Sequence, residues 1–220
     1  MSHGPLRPTT LLFVALILSS CGRPRDDSAV VPVYDKENGK LQRLDYDSDK
    51  DGTTDTVSFM DGQKVIRIEI DKDQDGRVER WEYYGQDQKL VRIGISRLND
   101  GIVDAWSYNG ADGSVVQIDL SGNRDGRINR KEFYEAGQLV RVEETIPAQS
   151  QDVAPDLATG SSDWKPSRWE FYDPSGRLTT VAFDPSGRGI PERRLTYDAN
   201  GGAQLEVDTD GDGRFEPPGR

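Results

Sequence analysis

The sequence contains very little cysteine, histidine or continuous apolar sequence. Its 220 residues include one cysteine, Cys21, and one histidine, His3. A single cysteine cannot form a disulfide within the chain, so the fold must be held by other interactions. The longest apolar run, Leu11–Leu18, is much shorter than the roughly 20 residues with which a helix spans a bilayer. This run therefore predicts part of a cleaved export signal rather than a membrane span.

The first 20 residues have the organisation of such a signal. Arg7 gives a short positive region, Leu11–Leu18 is the apolar segment, and Cys21 follows two serines. The stretch Leu-Ser-Ser-Cys resembles the lipobox of bacterial lipoproteins, which implies cleavage before Cys21 and lipidation of its sulfur. An ordinary secretory signal with a chance cysteine is the alternative. Two or three acyl chains would hold the protein on a membrane, and Gly22 resembles the pattern of lipoproteins sorted to the outer membrane.

Removal of residues 1–20 would leave a strongly acidic chain without histidine. Of the 28 basic residues only Arg7 lies in that segment, and none of the 39 acidic residues does, which gives a formal charge of −12. Such a polyanion attracts divalent cations but not nucleic acid. Ser-His-Asp triads, thiol catalysis and imidazole-bound metals are excluded. Because the acids fall into repeated loops and leave no isolated catalytic pair, we predict no enzyme and no nucleic-acid partner.

The remaining sequence repeats at intervals of 24 or 25 residues, with one interruption between Gly126 and Gly189, and the repeat is clearest from one glycine in each unit. Two apolar residues separated by one position precede each glycine, and aromatic or apolar pairs with the same spacing follow several of them. This period of two predicts strands with one buried face and charged residues such as Arg67, Glu82 and Arg92 in water. The repeated glycines are Gly52, Gly76, Gly101, Gly126, Gly189 and Gly213.

Gly-, Asp- and Asn-rich turns between the units predict hairpin connections. The fold class predicted is all-β, an up-and-down meander of about twelve strands built from 24–25-residue β-hairpin repeats, with Asp-rich loops on one edge. Two segments, 169–178 and 197–201, resemble the YD repeats of bacterial surface proteins, which implies a scaffold. The predicted organisation is a signal peptide at 1–20, a tether at 21–29, a β-repeat region at 30–145, an insertion or linker at 146–166, and C-terminal β-repeats at 167–220.

The segment Asp71–Glu82, DKDQDGRVERWE, has the ligand order of a calcium loop. Acids occupy positions one, three, five, nine and twelve, and Gly76 allows the chain to fold back, so that six to eight oxygens can surround Ca²⁺. These twelve residues resemble the EF-hand loop. The flanks differ, because Val65–Ile70 alternates and Trp81–Tyr84 is aromatic, where an EF-hand has amphipathic helices. We therefore predict a calcium loop between two strands, with a helical EF-hand sensor as the alternative.

Four loops carry enough oxygen ligands to be predicted Ca²⁺ sites. In two further loops, Leu98 and Arg188 stand at ligand positions, so these loops are predicted to keep the turn without the metal. The alternative is that Asp-Gly clusters are simply good turns, but acids packed in one loop repel each other unless a cation neutralises them. The predicted ligands are Asp47, Asp49, Asp51 and Asp55; Asp71, Asp73, Asp75, Glu79 and Glu82; Ser121, Asn123, Asp125, Asn129 and Glu132; and Asp208, Asp210, Asp212 and Glu216.

Together these patterns predict a calcium-binding lipoprotein of the bacterial cell envelope, in the outer membrane, with a structural or binding role such as adhesion or scaffolding. Its predicted partners are the membrane, through lipidated Cys21, and an envelope protein or a glycan. A stripe of aromatic residues that includes Trp81 and Trp106 is either core packing or a surface on which a glycan stacks. A secreted carboxylate-dependent hydrolase is the alternative function.

Overall fold

The computed structural model of the protein describes residues 29–145, 151–152 and 164–219. The predicted signal peptide, Cys21, most of the tether and most of the segment 146–166 lie outside the described residues. All regular secondary structure in the described ranges is β. No helix in these ranges is long and apolar enough to cross a membrane.

Sixteen strands form in the described part of the chain. They are β1 (Val30–Tyr34), β2 (Leu41–Tyr46), β3 (Thr56–Asp61), β4 (Lys64–Ile70), β5 (Arg80–Tyr84), β6 (Leu90–Ile95), β7 (Ala105–Asn109), β8 (Val115–Leu120), β9 (Arg127–Ile128), β10 (Arg130–Glu135), β11 (Gln138–Glu144), β12 (Gln151–Asp152), β13 (Arg168–Tyr172), β14 (Leu178–Phe183), β15 (Arg193–Tyr197) and β16 (Ala203–Val207).

Fourteen of these strands form one antiparallel sheet in which spatial order follows chain order. The sheet does not close, since β1 and β16 are its two ends, and β9 and β12 pair separately. The predicted all-β meander is confirmed. The sheet has fourteen strands where about twelve were predicted, because β1 precedes the first repeat and β11 pairs directly with β13.

The up-and-down path places two kinds of connection at opposite edges of the sheet. Hairpin turns lie at one edge; in one of them the N–H of Gly110 donates to the carbonyl of Ser114 at 2.8 Å. The Asp-rich loops that follow β2, β4, β6, β8, β14 and β16 lie at the other edge, which we call the loop edge. β11 runs towards the loop edge and β13 returns from it.

The expectation that apolar and aromatic positions share one buried face is wrong. Ile68 lies opposite Ser58 and Glu82, whereas Trp81 lies opposite Glu69 and Gly94. The cause is the register, because the nine-residue loop 71–79 pairs Ile70 with Arg80 and turns the next residue, Trp81, to the other side. The sheet thus has an aliphatic face and an aromatic face. Arg67 and Arg92, predicted to lie in water, share the aromatic face with Trp81.

Arginines and aromatic rings alternate along one row of the aromatic face. The register places Arg43, Phe59, Arg67, Tyr83, Arg92 and Tyr108 side by side on β2 to β7, and Phe133, Arg141 and Phe171 on β10 to β13. The guanidinium carbon of Arg67 lies 4.3 Å from the ring centre of Phe59, and that of Arg141 lies 4.1 Å from the ring centre of Phe133. Each such cation–π contact contributes about 0.5–2 kcal/mol.

Three arginines of this row pair with a carboxylate two residues further along the strand. The distances are 2.7 Å for Arg43 to Asp45, 3.0 Å for Arg67 to Glu69 and 3.2 Å for Arg141 to Glu143. In β6 the corresponding residue is Gly94, and the indole of Trp106 takes the space. A Cβ at position 94 would lie 2.8 Å from Cζ3 of Trp106, and Trp106 is only 3% exposed. The guanidinium of Arg92 covers this indole at 4.2 Å.

We predict that Gly94→Ala destabilises the protein by about 1–2 kcal/mol. The added methyl group would overpack against the indole of Trp106, at a cost of about 1–3 kcal/mol, and the better strand propensity of alanine recovers only part of it. Urea unfolding followed by circular dichroism measures the change.

A double-mutant cycle with Trp106→Phe is the control for this prediction, because a phenyl ring lacks the six-membered half of the indole that meets the new methyl group. We expect Gly94→Ala to cost less in that background. An equal cost in both backgrounds would show that the close approach to Trp106 is not what requires glycine.

Candidate metal sites

Three groups of aspartates converge at the loop edge. In each group, one carboxylate oxygen of every member lies within 4.8 Å of the others, the first aspartate is at least half-buried, and the other two are exposed. Each group could hold a metal ion. The three groups, called triplets below, are Asp47, Asp49 and Asp51 after β2; Asp71, Asp73 and Asp75 after β4; and Asp208, Asp210 and Asp212 after β16.

Backbone N–H groups fix each triplet in the same way. In the loop after β4, Asp71 Oδ2 accepts from the N–H of Gly76 at 2.9 Å, and Asp75 Oδ1 accepts from the N–H of Arg77 at 2.8 Å. Gly76 has φ +86°, which side-chain-bearing residues rarely adopt. The chain therefore turns back and directs the carboxylates of the triplet towards one point. The loops after β2 and β16 repeat the bond from the sixth-position glycine, Gly52 to Asp47 at 2.8 Å and Gly213 to Asp208 at 3.0 Å.

The arrangement around Asp71 fits a bound cation. Its Oδ1 atom is buried and has no hydrogen-bond partner, while Oδ2 is held by Gly76. A carboxylate oxygen cut off from water requires a compensating partner, and hydrogen bonds or a metal ion can supply one. The triplet offers only carboxylate oxygens, the ligands preferred by hard cations such as Ca²⁺ and Mg²⁺. A cation of this class would also offset the repulsion among the three charges.

The acids at the ninth position of the first two triplet loops accept hydrogen bonds from the residue at the second position of the same loop. Asp55 Oδ2 accepts from the N–H of Ser48 at 2.7 Å and from its hydroxyl at 2.6 Å, and Glu79 Oε2 accepts from the N–H of Lys72 at 2.6 Å. Burial would raise the pKa of Asp55, but the bonds from Ser48 and Thr56 outweigh it and hold that pKa below its ordinary value. In the last loop, the backbone of Glu216 pairs with Val207 through two hydrogen bonds.

The twelfth-position glutamates lie in strands and not with the triplets. Glu82 accepts from Arg80 Nε and from the Tyr84 hydroxyl, each at 2.8 Å. Glu132 makes the same pair of bonds with Arg130 and Tyr134. An extended chain advances about 3.3 Å per residue, so a strand carries position twelve away from a loop that a helix would have kept close.

An Arg-x-Glu-x-Tyr pattern, which sequence reasoning missed, explains these glutamates. It recurs a third time at Arg168, Glu170 and Tyr172, where the arginine and the tyrosine again bond to the glutamate. Burial, followed by the bond to the glutamate, raises the pKa of the tyrosine to about 12 in all three copies. The same spacing in three strands is the sequence signal for this pattern, whereas the EF-hand pattern assigns two of these glutamates to the metal.

In the two loops that begin with serine, a hydroxyl replaces the first carboxylate. Ser121 Oγ donates to Asp125 Oδ1 at 2.9 Å, and Ser96 Oγ donates to Asp100 Oδ1 at 3.0 Å. The N–H of Arg127 and the Ser121 hydroxyl keep the pKa of Asp125 below its ordinary value. Of the other ligands predicted in the Ser121 loop, Asn123 is exposed and the side chain of Asn129 accepts from the N–H of Gly122 at 2.8 Å.

Arginines act as built-in cations in the two loops predicted to lack metal. The guanidinium of Arg97 donates to Asp104 at 3.0 Å and to the carbonyl of Ser121 at 2.8 Å. In the loop after β14, Arg188 contacts Glu192 at 2.6 Å. Each loop thus neutralises an acid without a metal ion.

Comparison with known proteins gives no family assignment. No protein-family model and no curated protein matches this sequence. Among solved structures, TarM is 14% identical with a TM-score of 0.33, over 45% of this chain and 21% of TarM. A single-residue mutant of TarM from S. aureus is 10% identical with a TM-score of 0.23, over 52% of this chain and 21% of that one. Accessory secretory protein 1, 2 and 3 of Streptococcus pneumoniae is 11% identical with a TM-score of 0.18, over 83% of this chain and 19% of that one.

This chain therefore spans about a fifth of the length of the chains it matches. At these TM-scores the likeness establishes neither a shared fold nor a shared function.

We predict that Asp49→Asn has opposite effects with and without a divalent cation. Without the cation, loss of one charge relieves repulsion in the triplet and raises stability by about 0.5 kcal/mol, as for other exposed charges. With the cation, the same change removes a charged ligand and lowers stability. Thermal unfolding in chelator and in excess divalent cation measures both effects.

Asp112→Asn is the matched control, because Asp112 holds a hairpin turn at the opposite edge, where its Oδ1 accepts from the N–H of Ser114 at 3.0 Å. Its effect should be the same in both conditions. If Asp49→Asn also gives one effect regardless of the cation, the triplet is a turn and not a metal site.

Proposed function

We propose that this protein is a calcium-binding lipoprotein of the bacterial cell envelope, in which Ca²⁺ stabilises an open sheet that serves a structural or binding role. The observation that carries the proposal is the convergence of three aspartate triplets at one edge, with a buried and unpartnered oxygen on Asp71. The flanking strands support stabilisation rather than signalling, since a helical EF-hand sensor is wrong for these loops: β4 and β5 flank the loop that resembles an EF-hand.

Calcium is the favoured ion for chemical reasons. Ca²⁺ accepts six to eight oxygens in flexible geometry at 2.3–2.6 Å, whereas Mg²⁺ demands a strict octahedron and loses its waters reluctantly. Three carboxylates at an exposed edge leave room for water and backbone carbonyls to complete a Ca²⁺ shell. Modules of this kind bind Ca²⁺ at about 10⁻⁴ to 10⁻³ M, which suits a compartment open to external calcium.

Calcium binding would stabilise the folded state because the ions neutralise part of the negative charge of the chain. Residues 21–220 carry a formal charge of −12, and three Ca²⁺ ions would supply six positive charges at the edge where the acids converge. A ligand that binds the folded state alone stabilises it by RT ln(1 + [L]/Kd), or about 1.4 kcal/mol for each site at tenfold excess over Kd. Folding and calcium uptake are thereby coupled.

We predict that the midpoint of thermal unfolding rises with calcium concentration and falls in chelator. The rise should continue beyond saturation of the folded state, because only that state binds the ions, and Mg²⁺ at equal concentration should give a smaller rise. Circular dichroism in the far ultraviolet records the transition. Equal midpoints with calcium and with chelator would contradict the proposed role of the metal.

The anchor has its own test. Cys21→Ser should abolish incorporation of labelled fatty acid into the protein in cells, because the sulfur that would carry the acyl chains is gone. Ser20→Ala is the control beside it, since it changes the same segment and keeps the cysteine. Equal labelling of the Cys21→Ser protein would contradict the lipoprotein assignment.

A further inference from the structure

A groove of about 330 Å³ opens on the aromatic face between β4 and β7. Arg67, Trp81, Tyr83 and Trp106 line its floor, and Ile102, from the loop before β7, lies at its rim. This volume is at the lower end of the range for small-molecule sites, which are typically aromatic with a few polar groups.

The floor of the groove leaves aromatic surface accessible. Trp106 is buried beneath Arg92, but Trp81 and Tyr83 are only half-buried. The rings of Tyr83 and Trp106 are tilted by 46° with centres 5.9 Å apart, so they form an angled surface rather than a closed stack. Further along the same face, Trp164 covers the sheet, bonding to Glu143 at 2.8 Å. The groove is thus a distinct opening and not part of a uniformly bare face.

Two polar groups at the groove are unused donors. Nε1 of Trp106 and Nε of Arg67 are both buried and have no hydrogen-bond partner. A ligand in the groove does not reach these two buried atoms, but the Arg67 side chain is 34% exposed. Its outer guanidinium N–H groups can therefore donate to acceptor oxygens of a ligand. The lining residues include no acid that could supply them, and Glu69 is engaged with the Nη2 atom of Arg67 at 3.0 Å.

The two loops that contribute to the groove carry fewer acids than the loops of the three triplets. Ile102 belongs to the Ser96 loop, and Gly126 of the Ser121 loop also lines the groove. These are the two loops in which a serine hydroxyl replaces the first carboxylate of a triplet. A ligand rich in acceptor oxygens therefore meets less negative charge here than at the loops of the three triplets, although the whole chain is acidic.

We propose that this groove binds a saccharide, with one sugar ring stacked on Trp81 and with hydroxyl or carboxylate oxygens accepting from the exposed part of the Arg67 guanidinium. A sugar combines an apolar C–H face with acceptor oxygens at its rim, which matches aromatic walls beside a guanidinium. An aliphatic chain would offer the Arg67 guanidinium no acceptor. The site specifies the binding role in the proposed function, but it requires neither the anchor nor bound calcium.

Isothermal titration of the purified full chain in detergent tests the proposal, with chitotriose as an uncharged probe and trigalacturonate as an acidic one. We expect saturable binding of at least one probe. Trp81→Ala should weaken it about tenfold through loss of the stacking surface. Ile102→Glu should weaken it about fivefold, because it places a carboxylate at the rim without disturbing the sheet.

Two controls keep the test sharp if Trp81→Ala also destabilises the protein. Ile190→Glu adds the same charge at the matching position after Gly189, on a loop away from the groove, where Ile190 is 58% exposed. Phe171→Ala removes a ring from the same face, where Phe171 is 36% exposed. Both should leave binding unchanged. Preference for the acidic or the uncharged probe would show whether Arg67 donates to a carboxylate or to a hydroxyl oxygen.

No saturable binding of either probe at about 10 mM, an affinity weaker than any useful site, would overturn the proposal. Binding that survives both Trp81→Ala and Ile102→Glu would also overturn it. The titrations are run with calcium and with chelator, and calcium uptake is measured separately. Failure of saccharide binding therefore leaves the calcium proposal standing, and failure of calcium binding leaves the groove testable.

Discussion

Repulsion among carboxylates at one edge of an open sheet is the constraint on which this structure depends. Each repeat brings its acidic loop to that edge, because the meander reverses direction at every strand. The loops accommodate these charges in three ways. Three triplets leave like charges together, two loops have a serine hydroxyl in place of the first carboxylate, and Arg97 and Arg188 neutralise acids in the loops that hold them. One chain thus arranges its acidic loops in several ways, and the triplets are the arrangement that could hold a metal ion.

The faces of the sheet show how a single layer is held with few apolar residues. Fully buried aliphatic side chains are scarce in the described residues, with Val142 and Val181 among them. The rows of arginine and aromatic residues replace part of the missing core, because a guanidinium over a ring covers apolar surface while its edge stays in contact with water or a carboxylate. On the other face, Glu144 bridges Arg130 at 2.6 Å and Arg168 at 2.9 Å, which links β10, β11 and β13.

Much of the fold could be predicted from the sequence, because the period of two and the repeat of 24 or 25 residues are local properties. Which face each side chain occupies could not, since it depends on the register set by every loop, and Trp81 turned away from Ile70 for that reason. The aspartate triplets followed from spacing alone. The strand positions of Glu82 and Glu132 could not be predicted from spacing, because the EF-hand pattern assumes that a helix follows the loop. Gly94 stands where three other strands have a carboxylate, and it makes room for Trp106 of the neighbouring strand. Because this contact joins two strands, no local pattern in the sequence reveals it.

Calorimetric titration of calcium into the metal-free protein tests the central claim most directly, because it counts ions and does not depend on what the protein binds elsewhere. We expect uptake of at least three ions per chain, with one ion lost when Asp49, Asp73 or Asp210 is replaced by asparagine. Uptake of no ions, or uptake unaffected by all three replacements, would contradict the claim that the converging aspartates are metal sites.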